Sequence, residues 1–145
     1  MPFRFALATV LQVREGLEKK EERALQKIQI EISRALHQID ELSAEIQRSK
    51  SAREAAMKQP VQAIHLHMLL AAADVAERKR KVLRDSLLKL ELQRDQQIKI
   101  YRAAHCDRET LTDMSDKQRD AYDQKQTRLQ QKSLDDIFIA RRQRS

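Results

Sequence analysis

The chain has 145 residues and a formal net charge of +7, and 35% of its residues are charged while only 3% are aromatic. One glycine, two prolines and no asparagine leave it without the turn-forming residues that sheet-containing folds use, and a lone Gly16 cannot build a glycine-rich phosphate loop. These proportions exclude β-rich and Rossmann-like folds and are typical of long helices.

The first predicted element is a helix over about residues 3–58, in which Pro2 lies at a favourable N-terminal position. Apolar residues within it alternate spacings of three and four, the heptad pattern of a coiled coil. This series comprises Leu25, Ile28, Ile32, Ala35, Ile39, Leu42 and Ile46. Upstream, two successive steps of four connect Leu17 to Glu21 and Leu25, which predicts a stutter that locally unwinds the supercoil.

Pro60 is the only internal proline, and it predicts a chain reversal over about residues 59–63. A second helix is predicted over about residues 64–140, because no glycine or proline follows Val61. Its heptad series comprises Leu66, Leu69, Ala73, Ala76, Arg80, Leu83, Leu87, Leu90, Arg94, Gln97, Tyr101, Ala104, Arg108 and Leu111. Beyond Leu111 the series becomes polar.

The expected fold is all-α: two long helices form an antiparallel coiled-coil hairpin within a single domain, residues 1–145. A reversal near Pro60 pairs residue i with roughly residue 120 minus i, so that about 25 residues at the C-terminus overhang the first helix. The apolar run Ile137–Ile139 lies in this overhang and needs another protein or stays exposed. Packing of the two ends in another register, a dimer and a looser helical bundle remain structural alternatives.

The histidines and the cysteine do not form a recognisable site. His65 and His67 are two residues apart, about 200° around a helix, whereas a helical zinc pair needs a spacing of four. Cys106 has only its neighbour His105 beside it, and a helical hairpin has no enclosed pocket for a substrate. We therefore expect no catalytic residues, no metal, no cofactor and no enzymatic activity.

The positive charge does not form a nucleic-acid-binding pattern. Residues 78–81 are all basic, but four consecutive helical residues point around most of the helix, and aromatic residues for base stacking are nearly absent. A solvated coiled-coil surface is the favoured interpretation, and no nucleic-acid partner is expected. The longest uncharged stretch, residues 59–73, is shorter than the ~20 residues that span a bilayer.

The two ends of the chain carry patterns that resemble a known family. The opening pattern reads Phe3-Arg4-Phe5-x-Leu7-x-x-Val10-Leu11-x-x-Arg14, with Glu18 after it. The closing pattern comprises Arg119, Tyr122, Gln131-Lys132, Leu134-Asp135-Asp136 and Arg141. Together, in this order, they resemble the bacterial flagellar FliJ family over nearly the whole chain.

The resemblance implies a soluble, stalk-like coiled coil of the flagellar type III export apparatus. Its partners would be the hexameric export ATPase, the cytoplasmic domain of the membrane export gate and export chaperones, whose recycling it assists. It would be cytoplasmic, and peripheral to the inner face of the cell membrane at the flagellar base.

The same resemblance suggests which residues make these contacts. The candidates for the ATPase ring are Phe3, Phe5, Leu7, Leu11, Tyr122, Leu134, Asp135 and Phe138. The candidates for the export gate are Leu42, Ile46, Leu69, Ala73, Ala76 and Arg80; at Leu69 the family has an aromatic residue.

Three other functions fit parts of the same sequence. The equivalent stalk protein of a virulence type III secretion system, the YscO-like family, shares the hairpin, although the two terminal patterns favour the flagellar branch. A basic nucleic-acid-binding coiled coil would bind DNA or RNA with a steep dependence on salt. A purely structural coiled coil would form a stable homodimer.

Overall fold

The computed structural model describes residues 2–60 and 62–144, and most of them belong to two α-helices. Helix α1 spans Ala8–Met57 and helix α2 spans Ala63–Arg144. No strand occurs among the described residues. The all-α prediction with two long helices is therefore confirmed.

The start of α1 differs from the sequence prediction, because the helix begins at Ala8 rather than at Phe3. The amide of Ala8 donates to the carbonyl of Phe5 at 3.1 Å, and that of Leu11 donates to Leu7 at 2.9 Å. Phe5 is 9% exposed. The two phenylalanines thus lie in a short non-helical segment in which Phe5 is buried and Phe3 is half-buried.

The break between the helices surrounds Pro60, as the missing amide of proline requires. The last turn of α1 tightens: the amides of Lys58 and Gln59 donate to the carbonyls three residues earlier, both at 3.3 Å. The amide of His65 donates to the carbonyl of Gln62 at 3.0 Å at the start of α2. Val61, part of the predicted turn, lies outside the described residues.

The chain divides into two compact units. The central unit comprises Glu21–Ile100 and contains most of α1, the break at Pro60 and the first part of α2. The terminal unit comprises Met1–Lys20 and Tyr101–Ser145 and contains the start of α1 and the remainder of α2.

In the central unit the predicted heptad positions form the interface between α1 and α2. Ile32, Ala35, Ile39 and Ala76 are buried, and the remaining positions of both series in this unit are half-buried. Arg80 donates to the Ser43 hydroxyl at 3.3 Å. Because a second contact joins residues 21 and 97, residue numbers rise along α1 as they fall along α2, consistent with the predicted antiparallel pairing.

In the terminal unit the same heptad pattern continues, but the contacts are largely polar. Leu11 and Leu111 are half-buried, while Arg14 forms an ion pair with Asp107 at 3.3 Å. Residues 127–144 are exposed throughout. This long exposed segment and the polar contacts distinguish the terminal unit from the apolar interface of the central unit.

The predicted stutter in α1 is wrong. Leu17 is 40% exposed, whereas Arg14, Glu18 and Glu21 are half-buried. These polar residues continue the spacing of three and four from Leu11 to Leu25 without interruption. The apolar residues suggested a stutter because the heptad positions in this stretch are occupied by charged side chains.

Candidate interaction surfaces

Phe3, near the start of the chain, contacts α2 in an aromatic cluster with Arg119 and Tyr122. The Phe3 and Tyr122 rings lie 5.6 Å apart between centroids at an angle of 47°, a favourable tilted arrangement. The guanidinium carbon of Arg119 lies 5.6 Å from the centroid of the Phe3 ring, within the range of a cation–π interaction. Two candidates for the ATPase ring, Phe3 and Tyr122, are therefore brought together within the terminal unit.

The other N-terminal candidates for the ATPase ring differ in accessibility. Phe5 is buried and Leu11 is half-buried, whereas Leu7 is 38% exposed. Phe5 is packed within the terminal unit, so it exposes little side-chain surface to a partner.

The C-terminal candidates lie in residues 127–144, which we call the C-terminal segment. Leu134 and Phe138 are 65% and 67% exposed, and Asp135 is exposed. Leu134, Ile137 and Phe138 share one helix face, since they are separated by three and four residues. These exposed apolar side chains give the C-terminal segment a face suited to binding another protein.

The last turn of α2 is basic. Arg141, Arg142 and Arg144 lie in it, where positive charge interacts favourably with the negative end of the helix dipole. The C-terminal segment thus combines an apolar face with a cationic end.

A charged cluster crosses the interface of the terminal unit at Glu18. The guanidinium of Arg108 donates from Nε to one carboxylate oxygen at 2.5 Å and from a terminal nitrogen to the other at 3.4 Å. The Glu18 and Arg108 side chains are only 15% and 23% exposed. A two-pronged, charge-assisted contact of this kind fixes the relative positions of its partners.

His105 adds a third group to the same carboxylate. Its Nδ1 lies 3.0 Å from Glu18 Oε1. A hydrogen bond to this carboxylate, which only accepts, requires a proton on Nδ1, and a terminal nitrogen of Arg108, which only donates, lies 3.3 Å from the same atom. The other ring nitrogen of His105 lies 3.4 Å from Glu109.

The hydrogen bonds from Arg108 and then from His105 are the main reasons why the pKa of Glu18 lies below its ordinary value. The hydrogen bond to Glu18 likewise raises the pKa of Arg108. Both shifts favour the charged forms, so the cluster stabilises the helix pairing by electrostatic attraction.

The cluster at Glu18 was not predicted from the sequence. Arg108 appeared only as an interruption of the apolar series, and Glu18 only as part of the opening pattern. The antiparallel pairing rule places residue 18 near residue 102, which is about two helical turns from Arg108, so the rule did not select this contact.

The gate candidates lie between α1 and α2 in the central unit. Ala76 is 3% exposed, and Leu42, Ile46, Leu69, Ala73 and Arg80 are half-buried. These side chains contribute mainly to the helix interface. A partner that binds this region would therefore reach mostly the residues at the margins of the interface.

A shallow groove runs beside this interface on one face of the central unit, with a volume of about 570 Å³. Leu42, Val82 and Leu83 provide its apolar surface, and its charged residues are Glu41, Glu45, Arg78 and Lys79. The acidic residues belong to α1 and the basic residues to α2.

Residues 2–60 and 62–144 contain neither a metal-binding cluster nor a membrane-spanning helix. No group of three or more His, Cys, Asp or Glu side chains in these residues could hold a metal ion. His65, His67 and Cys106 are all exposed. No helix in the described part of the chain has a stretch long and apolar enough to cross a bilayer.

The comparisons with known proteins identify the family. The model of the family described as flagellar FliJ protein matches residues 3–145. No curated protein and no solved structure matches the chain. The family match includes both terminal patterns and both helices, and the chain therefore belongs to the FliJ family of flagellar export proteins.

Proposed function

We propose that this chain is a stalk-like coiled coil of the flagellar type III export apparatus that binds the export ATPase ring and the export gate. The family match over residues 3–145 carries this proposal. Within each unit the paired helices supply a stiff element, and the exposed side chains of the C-terminal segment supply a binding surface.

The proposed ATPase contact is the end of the terminal unit. The C-terminal segment overhangs α1 in this proposal, and its exposed apolar face enters the hexameric ring. The exposure of Leu134 and Phe138 supports this arrangement, because these two large apolar side chains are 65% and 67% exposed and so leave most of their surface open to a partner. Phe3 and Tyr122 act differently: they hold the base of the segment in place, since their rings already pack together.

The proposed gate contact lies in the central unit, around Leu42, Ile46, Leu69, Ala73, Ala76 and Arg80. Ala76 is covered by the helix pairing. The contact with the cytoplasmic domain of the gate therefore uses the half-buried edges of the other residues. Binding to the ATPase and the gate places the protein in the cytoplasm, against the inner face of the membrane at the flagellar base.

The mechanism we propose is mechanical coupling. A stiff helical element that contacts ATPase subunits differently in their different nucleotide states biases the ring between those states, and the effect is reciprocal. The central unit carries that bias to the gate. Assistance in recycling export chaperones belongs to the same proposal, and membership of the FliJ family supports it.

The ATPase contact is tested by cutting the chain after Thr127. The purified full-length protein should raise the ATP hydrolysis rate of the export ATPase of the same bacterium, and the truncated protein should not. Circular dichroism should show that the remaining helices are retained, because every residue removed is exposed in the described structure.

A second truncation, after Ala140, serves as the control. It removes the basic end but keeps Leu134 and Phe138, so stimulation should persist if the apolar face is the contact. Undiminished stimulation by the chain cut after Thr127 would rule out the C-terminal segment as the ATPase contact. Co-purification of the ATPase and the gate with the tagged protein tests the remaining partners.

A further inference from the structure

A column of exposed apolar side chains lies along α2 in the central unit, and its member Val82 lines the groove described above. Met68, Val75 and Val82 recur at intervals of seven residues, and they are 66%, 48% and 64% exposed. Seven residues are two helical turns, so these side chains share one face. This column is separate from the heptad positions that pair α2 with α1, and it gives α2 a second apolar face.

The groove beside this column carries opposite charges on its two sides. Glu45 lies on α1 and Lys79 lies on α2, and neither forms an ion pair within the described parts of the chain. The hydrogen bond between the side chains of Arg80 and Ser43 shows which residues of α1 and α2 lie at the same height along the paired helices. Glu45, two residues after Ser43, therefore lies level with residue 78, beside Lys79.

This arrangement makes the face complementary to itself. A two-fold axis parallel to the helices packs α1 of one copy on α2 of the other without shifting either along the helix axis. Glu45 of each copy then lies opposite Lys79 of the other, which gives two such pairs. A two-fold axis across the helices would instead place α1 on α1 and bring Glu45 near the acidic residues of the other copy. Charge thus selects the first arrangement.

We propose that the free protein associates with a second copy through this face, in an antiparallel four-helix arrangement. The Glu45–Lys79 pairs lie over the groove, with Leu42 beneath them, and the apolar column from Met68 to Val82 lies along the margin of the face. The face is about 25 Å long and ~20 Å wide, or ~500 Å² per copy. That is below the ~800 Å² of a standard interface, so the dissociation constant should be on the order of 10–100 µM.

Sedimentation velocity of the full chain between about 1 and 300 µM tests the proposal. The wild-type protein should shift from monomer to dimer over this range. Val82→Asp should remain monomeric throughout. Leu88→Asp is the matched control, because Leu88 is 60% exposed on the same helix but does not line the groove, and it should dimerise like wild type. Circular dichroism of both variants checks that helix content is unchanged.

The charge pattern tests the direction of the axis. Glu45→Lys should weaken dimerisation about three- to tenfold, and adding Lys79→Glu to it should restore the affinity. Stronger association of Glu45→Lys would support the axis across the helices and overturn the proposed arrangement. A wild-type protein that is monomeric at 300 µM, or a Val82→Asp variant that dimerises like wild type, would overturn the self-association itself. Neither outcome bears on the ATPase contact, which uses the terminal unit.

Discussion

Replacing Ile39 by alanine should strongly destabilise the helix pairing of the central unit. Ile39 is 8% exposed, so the substitution removes three buried carbon atoms, each contributing about 0.8 kcal/mol. Partial collapse of the space left behind limits the additional cavity cost, and the expected loss is about 2–3 kcal/mol. At about 3 °C per kcal/mol for a chain of this size, the thermal midpoint should fall by roughly 8 °C.

Leu36→Ala is the matched control, because it removes the same number of carbon atoms from the same helix. Leu36 is 46% exposed, so much of its surface is in water already, and alanine favours the helix slightly more than leucine. We expect a loss of ~1 kcal/mol or less. Thermal and urea unfolding followed by circular dichroism measure both variants. Equal losses would refute the assignment of Ile39 to the interface and of Leu36 to the surface.

Three further predictions concern the terminal unit and the surface charge. Glu18→Gln should lower the urea midpoint at about pH 7, because it leaves Arg108 without its carboxylate. The pKa of Glu18 is lowered in the folded protein. The extra stability of the wild-type protein is therefore complete above the ordinary glutamate pKa, and it disappears as the pH falls through the pKa of Glu18 in the folded protein. A difference between wild type and variant that persists undiminished at about pH 2 would contradict this assignment. Phe3→Ala should accelerate amide exchange around Tyr122 without affecting the central unit. Unchanged exchange around Tyr122 would show that the aromatic cluster does not hold the segment before α1 in place. Duplex DNA should bind only weakly at about 150 mM salt, and tight, sequence-independent binding by fluorescence anisotropy would favour the nucleic-acid alternative.

The fold could be predicted from the sequence largely because one physical signal dominates it. Alternating steps of three and four between apolar residues define a helix face, and a single proline interrupts an otherwise uniform composition of helix formers. Each heptad position predicted between Leu66 and Leu111 is buried or half-buried in α2. Arg80, Arg94 and Gln97 fit the pattern too, although their side chains are polar.

The heptad spacing and the single internal proline did not predict where α1 begins or that Glu18, His105 and Arg108 form a charged cluster. Phe3 and Phe5 have acceptable helix propensity, but in the fold Phe3 packs on Tyr122 and Phe5 is buried, and the helix begins only at Ala8. Glu18 and Arg108 are ninety residues apart, so their contact depends on the register of the pairing. The apolar pattern shows which faces of the helices pair, but it does not show which residues lie opposite each other. In the terminal unit, opposite charges help to set that register.

The ATPase candidates separate into two groups that their sequence spacing did not distinguish. Phe3 and Tyr122 pack on each other, and Phe5 is buried, while Leu134, Asp135 and Phe138 are exposed. Substitutions in the first group therefore change the fold of the terminal unit before they change any contact. Substitutions in the second group report on binding alone, which makes them the better probes of function.

The most direct test of the proposed function is the affinity of the Phe138→Ala variant for the export ATPase. Phe138 is 67% exposed, so the substitution should leave the fold intact, while loss of an aromatic anchor at a protein interface costs about 2 kcal/mol, or roughly thirtyfold in affinity. Leu92→Ala, at 64% exposure in the central unit, should bind the ATPase like wild type. Equal binding by all three proteins, measured by titration calorimetry, would contradict a contact through the C-terminal segment.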